Sequence, residues 1–216
     1  MSFIDVATIL KSVGAITEQD AVLPTDTDLA VRLRYINDAL GEWSDSYTWD
    51  DLRVTYQTTT NNSLTSLGLP LNFRQPLSSL WVYSETKTNG EEYPIIQAGD
   101  RFGREPSEYY CYLYGTFRNK SIQIPNTLPS GASLTIDYMS FPSSVATTTD
   151  YLPISSSQYV VKRVSAMVFQ SRGDSRYPLL QQDAERFLSN AIEEQNVPFG
   201  RRNQIATNTN FIIGRD

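Results

Sequence analysis

The spacing of apolar residues changes twice along this chain of 216 residues, and the change restricts the folds that it can adopt. Between residues 25 and 49, apolar side chains recur every three or four positions, which is the period of one helix face. From residue 53 to 141, polar and apolar residues alternate in short runs, as in strands. Helical spacing returns after residue 155. The sequence therefore predicts an α+β protein, with helices from both chain ends and β structure between them.

The longest helical segment runs from Thr25 to Trp49. Its apolar stripe consists of Leu29, Leu33, Ile36, Leu40, Trp43 and Tyr47. Polar residues between these positions, among them Arg32 and Ser44, are expected to face solvent, and Thr25 with Asp28 fits a capping box. A helix of roughly twenty residues is about 30 Å long and cannot bury such a stripe alone. We therefore expect Leu29 to Trp43 to form the core of a helical bundle.

Three further segments supply partner helices. The first, Ser2 to Ile16, places Phe3, Val6, Ala7, Leu10 and Val13 on one face. The second begins with a capping box at Ser155 and Gln158, and Gly173 is well placed to end it. Its apolar face consists of Val160, Val161, Val164, Met167 and Val168.

The last helical segment, Leu179 to Gln195, has Pro178 in its first turn and ends before Pro198. Its apolar face consists of Leu180, Ala184, Phe187, Leu188, Ala191 and Ile192. We expect Val164, Phe187 and Leu188 to join the residues of the longest helix in the bundle core.

The middle of the chain predicts five to seven short strands and several turns. The strands are Arg53–Thr60, Leu80–Glu85, Tyr93–Gln97, Glu108–Tyr114, Ser121–Ile124 and Ala132–Phe141. Asn89–Gly90 is the strongest turn signal and predicts a hairpin between the second and third of these strands. In the last strand, alternate residues share one face, namely Ala132, Leu134, Ile136 and Tyr138. Short strands with frequent turns indicate an antiparallel sandwich or a curled sheet.

These patterns divide the chain into four parts. Residues 1–52 and 146–198 provide the helices of the bundle, 53–145 form an inserted antiparallel β domain, and 199–216 form an extended C-terminal arm. The arm has no helical stripe and ends on Phe211, Ile212 and Ile213. One interpretation is a frayed terminus. The other is an arm that orders on a neighbouring molecule, with these three apolar residues as its anchor.

The residue types needed for several kinds of chemistry are missing. The chain has no histidine and one cysteine, which excludes Ser-His-Asp and Cys-His systems and a zinc cluster. It also has no P-loop sequence. We therefore expect no catalytic residue, no cofactor and no metal, and Cys111 is expected to be a buried small hydrophobe.

Charge and hydropathy exclude two further classes of protein. A net charge of −6 argues against a protein that wraps nucleic acid by neutralising phosphates. No run approaches the 18 apolar residues of a membrane span, and no secretory leader is apparent, so an intracellular origin is expected.

A few local motifs have a structural and a functional interpretation. Three pairs of adjacent carboxylates are Asp50–Asp51, Glu91–Glu92 and Glu193–Glu194. Neighbouring residues diverge on strands and helices, so these pairs are expected at the surface rather than facing each other across a catalytic cleft. The tripeptide Arg172–Gly173–Asp174 is expected to end a helix. The tyrosines from Tyr109 to Tyr114 are predicted to be core residues, with a sugar- or base-stacking platform as the alternative.

The order of elements resembles that of a known family. The long helix ends in Tyr47-Thr48-Trp49-Asp50-Asp51-Leu52, and the β insert closes on Leu134-Thr135-Ile136-Asp137-Tyr138 and then Phe141-Pro142. A loop reaches Leu152-Pro153-Ile154 before a capped helix, and the last helix leads into an arginine-bearing tail. This layout resembles the head–tail adaptor (connector) proteins of tailed bacteriophages, including the tail tubular protein A type of short-tailed phages.

The resemblance implies a structural virion protein of the neck, made in the host cytoplasm. Such adaptors form a homo-oligomeric ring, usually of twelve copies, beneath the portal protein. The ring extends the channel through which double-stranded DNA passes without sequence-specific binding, and it provides a platform for the downstream tail, nozzle or tail-terminator protein. No membrane is involved.

The resemblance also implies that the C-terminal arm docks onto the portal. The portal-binding residues would be Phe199, Arg201, Arg202, Asn203, Gln204, Ile205, Phe211, Ile212 and Ile213. Arg201 and Arg202 would make polar contacts, and the last three residues would be apolar anchors.

Two other functions compete with the adaptor. One is a carbohydrate-binding β-sandwich module of a phage tail or bacterial surface protein, with Tyr110 and Tyr112 in the binding platform. The other is a glycosidase or peptidoglycan-degrading tail enzyme that uses a pair of carboxylates. The carbohydrate-binding function leaves the helical bundle and the long tail unexplained.

Overall fold

The structure, a computed structural model, divides the chain into two compact units. Residues 1–51 and 144–216 form the helical unit, and Leu52–Ser143 form the β unit. The described residues are 4–60, 65–85, 87–97, 110–116, 119–124, 128, 130–154 and 156–196. The sequence predicted an inserted β domain over 53–145.

The described helices are α1 (Val6–Thr17), α2 (Asp26–Ser46), α3 (Gln158–Ser171) and α4 (Tyr177–Asn196). The strands are β1 (Ile4–Asp5), β2 (Arg53–Thr59), β3 (Ser66–Gly68), β4 (Phe73–Pro76), β5 (Leu80–Ser84), β6 (Lys87–Tyr93), β7 (Ile95–Gln97), β8 (Cys111–Thr116), β9 (Asn119–Gln123), β10 (Ser133–Ser140) and β11 (Tyr151–Leu152). The α+β prediction is therefore confirmed. Of the helices that the structure describes, none is both long and apolar enough to cross a membrane.

Helix α1 begins later than the sequence predicted. Ile4 and Asp5 form the short strand β1, which pairs antiparallel with β11, so the predicted start at Ser2 is wrong. Asp5 ends the strand and caps the helix, because its Oδ1 accepts a hydrogen bond of 2.6 Å from the backbone N–H of Thr8. This bond holds the pKa of the Asp5 carboxyl below its usual value.

The stripe of α2 is only partly buried. Ile36, Leu40 and Trp43 are buried, whereas Leu29 and Leu33 near the start of the helix are half-buried. The indole of Trp43 stacks on that of Trp49, with ring centroids 4.6 Å apart. The aromatic end of the helix therefore forms the best-packed part of the stripe.

Two expectations for polar residues of α2 are wrong. Arg32 is 3% exposed and Ser44 is 2% exposed, although both were expected to face solvent. Ser44 is accommodated because its hydroxyl donates to the carbonyl oxygen of Gly41 at 2.8 Å. Thr25 is the N-cap residue but makes no side-chain capping bond, and Asp26 after it has a φ of 49°, outside the right-handed helical region.

Helix α3 lies at the centre of the helical unit, because α1, α2 and α4 all pack against it. Its buried residues include Val164 and Phe169, while Met167 is half-buried. The predicted capping Ser155 lies outside the described residues. Gly173 ends the helix as predicted, with a φ of 68°.

The α3–α4 connection is a Schellman turn. The N–H of Asp174 donates to the carbonyl of Phe169 at 2.9 Å, and the N–H of Gly173 donates to that of Gln170 at 3.1 Å. The interpretation of Arg172–Gly173–Asp174 as turn chemistry is confirmed. In α4, Leu180 and Ala184 are buried, whereas the apolar residues further along are half-buried: Phe187, Leu188, Ala191 and Ile192.

The β unit is a sandwich of two sheets around one core. One sheet has the strand order β2-β10-β5-β6, with β4 also paired to β10, and the other has the order β3-β9-β8-β7. Residues of both sheets meet in a single cluster that includes Leu80, Ile122 and Leu134. The four residues predicted to share a face of the last strand, Ala132, Leu134, Ile136 and Tyr138, are all in it.

Two predictions about strand pairing are wrong. Asn89 and Gly90 lie inside β6, where Lys87 already pairs with Ser84 of β5, so they do not form the turn between these strands. Gly90 has a φ of 77°, and a Cβ there would lie 2.6 Å from Cε1 of Tyr83, so glycine serves ring packing rather than the turn.

The prediction of an antiparallel sheet fails at β7, which pairs parallel with β8. The sequence between Gln97 and Cys111 is thirteen residues long, and a parallel connection needs a dozen or more. The predicted hairpin partner Tyr93–Gln97 is thus split between two sheets, since Tyr93 ends β6 and pairs with β5, while Ile95–Gln97 form β7.

Candidate functional site

The side chains suited to catalysis or metal binding do not converge in the described part of the chain. No group of three or more cysteine, aspartate or glutamate residues there could hold a metal ion. Glu91 accepts a hydrogen bond from the Tyr93 hydroxyl at 2.5 Å, and Glu92 accepts one from Ser79 at 2.7 Å. Cys111 is buried as predicted, and burial raises the pKa of its thiol to about 12, far from a reactive thiolate.

The tyrosines of β8 do not form one exposed platform. Tyr112 is buried, because the first three residues of β8 are covered on both faces. Tyr110 is half-buried, and the exposed Tyr114 exchanges a hydrogen bond of 2.5 Å with Ser66. The interpretation of these tyrosines as core residues therefore holds for Tyr112, and the platform through Tyr110 and Tyr112 is wrong.

A different aromatic pair faces outwards from the other sheet. The rings of Trp81 and Tyr83 on β5 are nearly parallel, at 21°, with centroids 6.4 Å apart. In the register of the sheet, Trp81 lies between Thr135 and Glu92. The same sheet carries a pocket of about 250 Å³ whose lining includes Arg53, Thr55, Ser78 and Asp137. This face combines apolar rings with hydroxyl and carboxylate groups.

A groove in the helical unit is the most developed candidate for an interaction site. It has a volume of about 220 Å³ and is lined by residues of α2, α3 and α4. Glu42 of α2, together with Tyr159 and Arg163 of α3, forms one side of it. Gln181, Ala184, Glu185 and Leu188 of α4 form the other side.

The α2–α3 side of the groove is held by an ion pair. Arg163 Nε and Nη2 each donate to one carboxylate oxygen of Glu42, at 2.7 Å, and the Tyr159 hydroxyl donates to the same carboxylate at 3.1 Å. The hydrogen bond from Arg163 holds the pKa of Glu42 below its usual value. Burial, with Glu42 alongside, raises the pKa of Tyr159. All three groups are therefore fixed in one charge state near neutral pH.

The α4 side of the groove is acidic and partly apolar. Glu185 is exposed, and its carboxylate accepts a hydrogen bond of 3.2 Å from the amide of Gln181. Leu188 is half-buried one turn further along the helix. Because Glu42 is matched by Arg163, Glu185 leaves the groove with negative charge beside an apolar surface.

Helix α4 is longer than the helix on which it packs. The ion pair between Lys162 Nζ and Asp183 Oδ2, at 3.4 Å, fixes the antiparallel register of α3 and α4. In that register the first residue of α3 comes level with about Phe187, so the rest of α4 extends roughly 13 Å further at 1.5 Å per residue. At its end, Asn196 Oδ1 accepts a hydrogen bond of 2.6 Å from Tyr47. The C-terminal tail therefore starts from the end of this extension.

A second ion cluster lies among the ends of three helices. Glu18, just after α1, pairs with the buried Arg32 of α2 and with Arg172 at the end of α3, the latter at 2.9 Å. The hydrogen bond from Arg172 holds the pKa of Glu18 below its usual value. Among the described residues, Arg32 Nη1 has no hydrogen-bond partner although it is buried. This cluster connects the ends of three helices.

The predicted arm lies outside the described residues. All nine predicted portal-binding residues, from Phe199 to Ile213, belong to this arm, so their role stays a prediction. The groove, in contrast, was missed by the sequence reasoning. A partial signal was present, because Tyr159 with Arg163 and Gln181 with Glu185 are polar pairs at the i, i+4 spacing of one helix face.

Neither a protein-family model nor a curated protein matches this sequence. The geometry of the groove and of the α4 extension therefore has to support any functional proposal.

Proposed function

We propose that this protein is a ring-forming structural adaptor of the virion neck, between the head and the tail. The subunit docks under a portal protein, extends the DNA channel and provides the attachment platform for the next tail component. The observation that carries the proposal is the extension of α4 beyond α3. The extension ends beside Tyr47, and the twenty residues 197–216 that follow it in the sequence are long enough to reach a partner protein.

The net charge of the subunit supports this proposal. Twelve subunits, each with a formal charge of −6, surround the channel with charge of the same sign as DNA. Like charges repel, so double-stranded DNA passes without adhering to the wall.

The assembly state tests the proposal directly. We expect mass photometry of the purified protein mixed with the portal protein encoded near its gene to show about twelve added copies for each portal ring. The protein alone serves as the reference. No added mass on the portal ring, at concentrations well above those of the single components, contradicts the adaptor function.

The tail provides a second test. Removing residues 199–216 is expected to abolish portal binding and to leave the melting temperature nearly unchanged, because the sequence of this segment has no helical stripe and few apolar residues with which to join the core. Serine substitution of Phe211, Ile212 and Ile213 should have the same effect, while serine substitution of Thr207, Asn208 and Thr209 serves as the matched control. A large loss of stability on deletion would show that the tail belongs to the core of its own subunit.

A second candidate function, carbohydrate binding, is favoured by one observation. The outward Trp81–Tyr83 pair offers two flat apolar rings beside the hydrogen-bonding side chains of Thr135 and Glu92. Under this candidate, Trp81→Ala abolishes binding to cell-wall polysaccharide, whereas Tyr114→Ala on the other sheet does not. If the unmodified protein binds no polysaccharide, this candidate is excluded.

A further inference from the structure

We propose that, in the free subunit, the start of the C-terminal tail folds back along α4 and binds the groove between α2, α3 and α4. Phe199 packs on Leu188, and Arg201 pairs with Glu185. The inference builds on the proposed function, because it gives the portal-binding arm an internal site that a partner has to replace.

The length of the tail fits this site. Glu185 lies eleven residues before Asn196, which is about 17 Å along the helix at 1.5 Å per residue. Residues 197–201, when extended, span at most about 17 Å in the opposite direction. Pro198 prevents the helix from continuing and favours the change of direction. Because the reversal uses part of this span, the backbone of Arg201 stops short of Glu185 and its long side chain covers the remaining distance, which is possible only if the tail runs closely along α4, past the groove.

The spacing of side chains fits as well. In an extended segment Phe199 and Arg201 lie on the same side, about 7 Å apart. Leu188 and Glu185 are neighbours on one face of α4, separated by one helical turn, about 5 Å. The aromatic and basic side chains of the tail thus match the apolar and acidic side chains of the helix in order and in spacing.

The charges of the groove favour a basic occupant. The guanidinium of Arg163 already donates to both carboxylate oxygens of Glu42. Its positive charge therefore repels an incoming arginine less than the charge of an unpaired cation would. Glu185 accepts a hydrogen bond only from the neutral amide of Gln181 among the contacts seen in the described residues. Arg163 also interacts electrostatically with Glu185, but one guanidinium between two carboxylates leaves the groove with one negative charge in excess, which a guanidinium from the tail balances.

The contact is weak enough to be reversible. An exposed ion pair contributes little to stability, and docking has to order several tail residues. The groove therefore holds the arm against its own subunit until a partner with a larger surface binds it.

Limited proteolysis of the full-length protein tests this inference without a portal. Trypsin cleaves after Arg201 and Arg202, and mass spectrometry gives the cleavage rate. We expect Glu185→Gln to increase the rate about fivefold at low ionic strength, because the ion pair is lost. Glu193→Gln, the same change at an exposed position of α4 outside the groove, is the matched control and should leave the rate unchanged.

Two results would overturn the inference. Equal cleavage rates for the wild type and Glu185→Gln would show that Arg201 does not pair with Glu185. Protection that disappears on dilution would show that the groove holds the tail of a second copy. A protein that fails the portal-binding test can still pass this one, so the two proposals fail independently.

Discussion

The fold of the helical unit removes the cation of Arg32 almost completely from water. Its acidic partner Glu18 is 37% exposed and is shared with Arg172. The two members of the pair thus differ in their exposure to water and in the number of their charged partners. Without Glu18, Arg32 is a buried charge with no carboxylate, whereas without Arg32, Glu18 keeps both Arg172 and water.

This asymmetry predicts unequal effects of two substitutions. Glu18→Gln should lower the free energy of unfolding by about 1–3 kcal/mol, because it leaves a buried guanidinium unmatched. Arg32→Met should cost less than about 1 kcal/mol, because an apolar side chain fills a buried site without a desolvation penalty. Urea unfolding at neutral pH measures both, with the exposed Glu193→Gln as control. A larger loss for Arg32→Met would contradict the assignment.

The same carboxyl predicts a dependence on pH. Because the pKa of Glu18 is lower in the folded protein, the unfolded chain binds more protons, and stability rises with pH through this range. The contribution is complete above the ordinary value of 4.5 and is lost as the pH falls through the lowered one. We therefore expect the difference in melting temperature between wild type and Glu18→Gln to shrink steadily as the pH falls below 4.5. A difference that stays constant down to acid unfolding would contradict this prediction.

At the scale of elements, the turn between α3 and α4 sets the geometry of the groove. The Schellman turn at Gly173 reverses the chain, and the Lys162–Asp183 ion pair fixes the register in which Leu188 and Glu185 face α3. Only residues that tolerate a φ of 68° at low cost suit this position.

A pair of glycine substitutions separates backbone conformation from packing. A Cβ at Gly173 or at Gly41, within α2, would meet no atom within 4 Å. Gly173→Ala should nevertheless destabilise the protein by about 1 kcal/mol because of its positive φ. Gly41→Ala should stabilise it by about 0.5–1 kcal/mol through helix propensity. Thermal unfolding followed by circular dichroism distinguishes them, and shifts of the same sign would contradict the expectation.

At the scale of the whole molecule, each of the two units has its own buried residues. The core of the β unit, which includes Phe73, Leu113 and Ile136, draws all its members from residues 67–138. The core of the helical unit comes from both chain ends, so its folding must close a long loop.

A fragment of residues 52–143 should therefore fold by itself. We expect a cooperative thermal transition and dispersed amide resonances, because the buried apolar residues of the sandwich are all present. The same fragment with Leu134→Ser is the control and should lose the transition. A wild-type fragment without cooperative unfolding would show that the sandwich depends on the helical unit.

Local patterns in the sequence determined the elements whose cause is itself local. The change of hydrophobic period predicted helices at both ends and strands between them, and alternation predicted the inner face of β10. Gly173 was predictable because a helix end needs a residue that tolerates positive φ. Ile36, Leu40 and Trp43 are buried where the stripe predicted, because a helix that packs on one side buries one face.

Only the tertiary structure decided which faces meet. The burial of Arg32 depends on Glu18, fourteen residues away in sequence, and the burial of Tyr112 depends on layers that cover both faces of β8. The parallel pairing of β7 and the position of Gly90 under Tyr83 follow from sheet order, which periodicity does not encode. The groove likewise joins Glu42, Arg163 and Glu185 from three helices. A periodic pattern states which side of an element is apolar, but packing between distant segments determines what that side contacts.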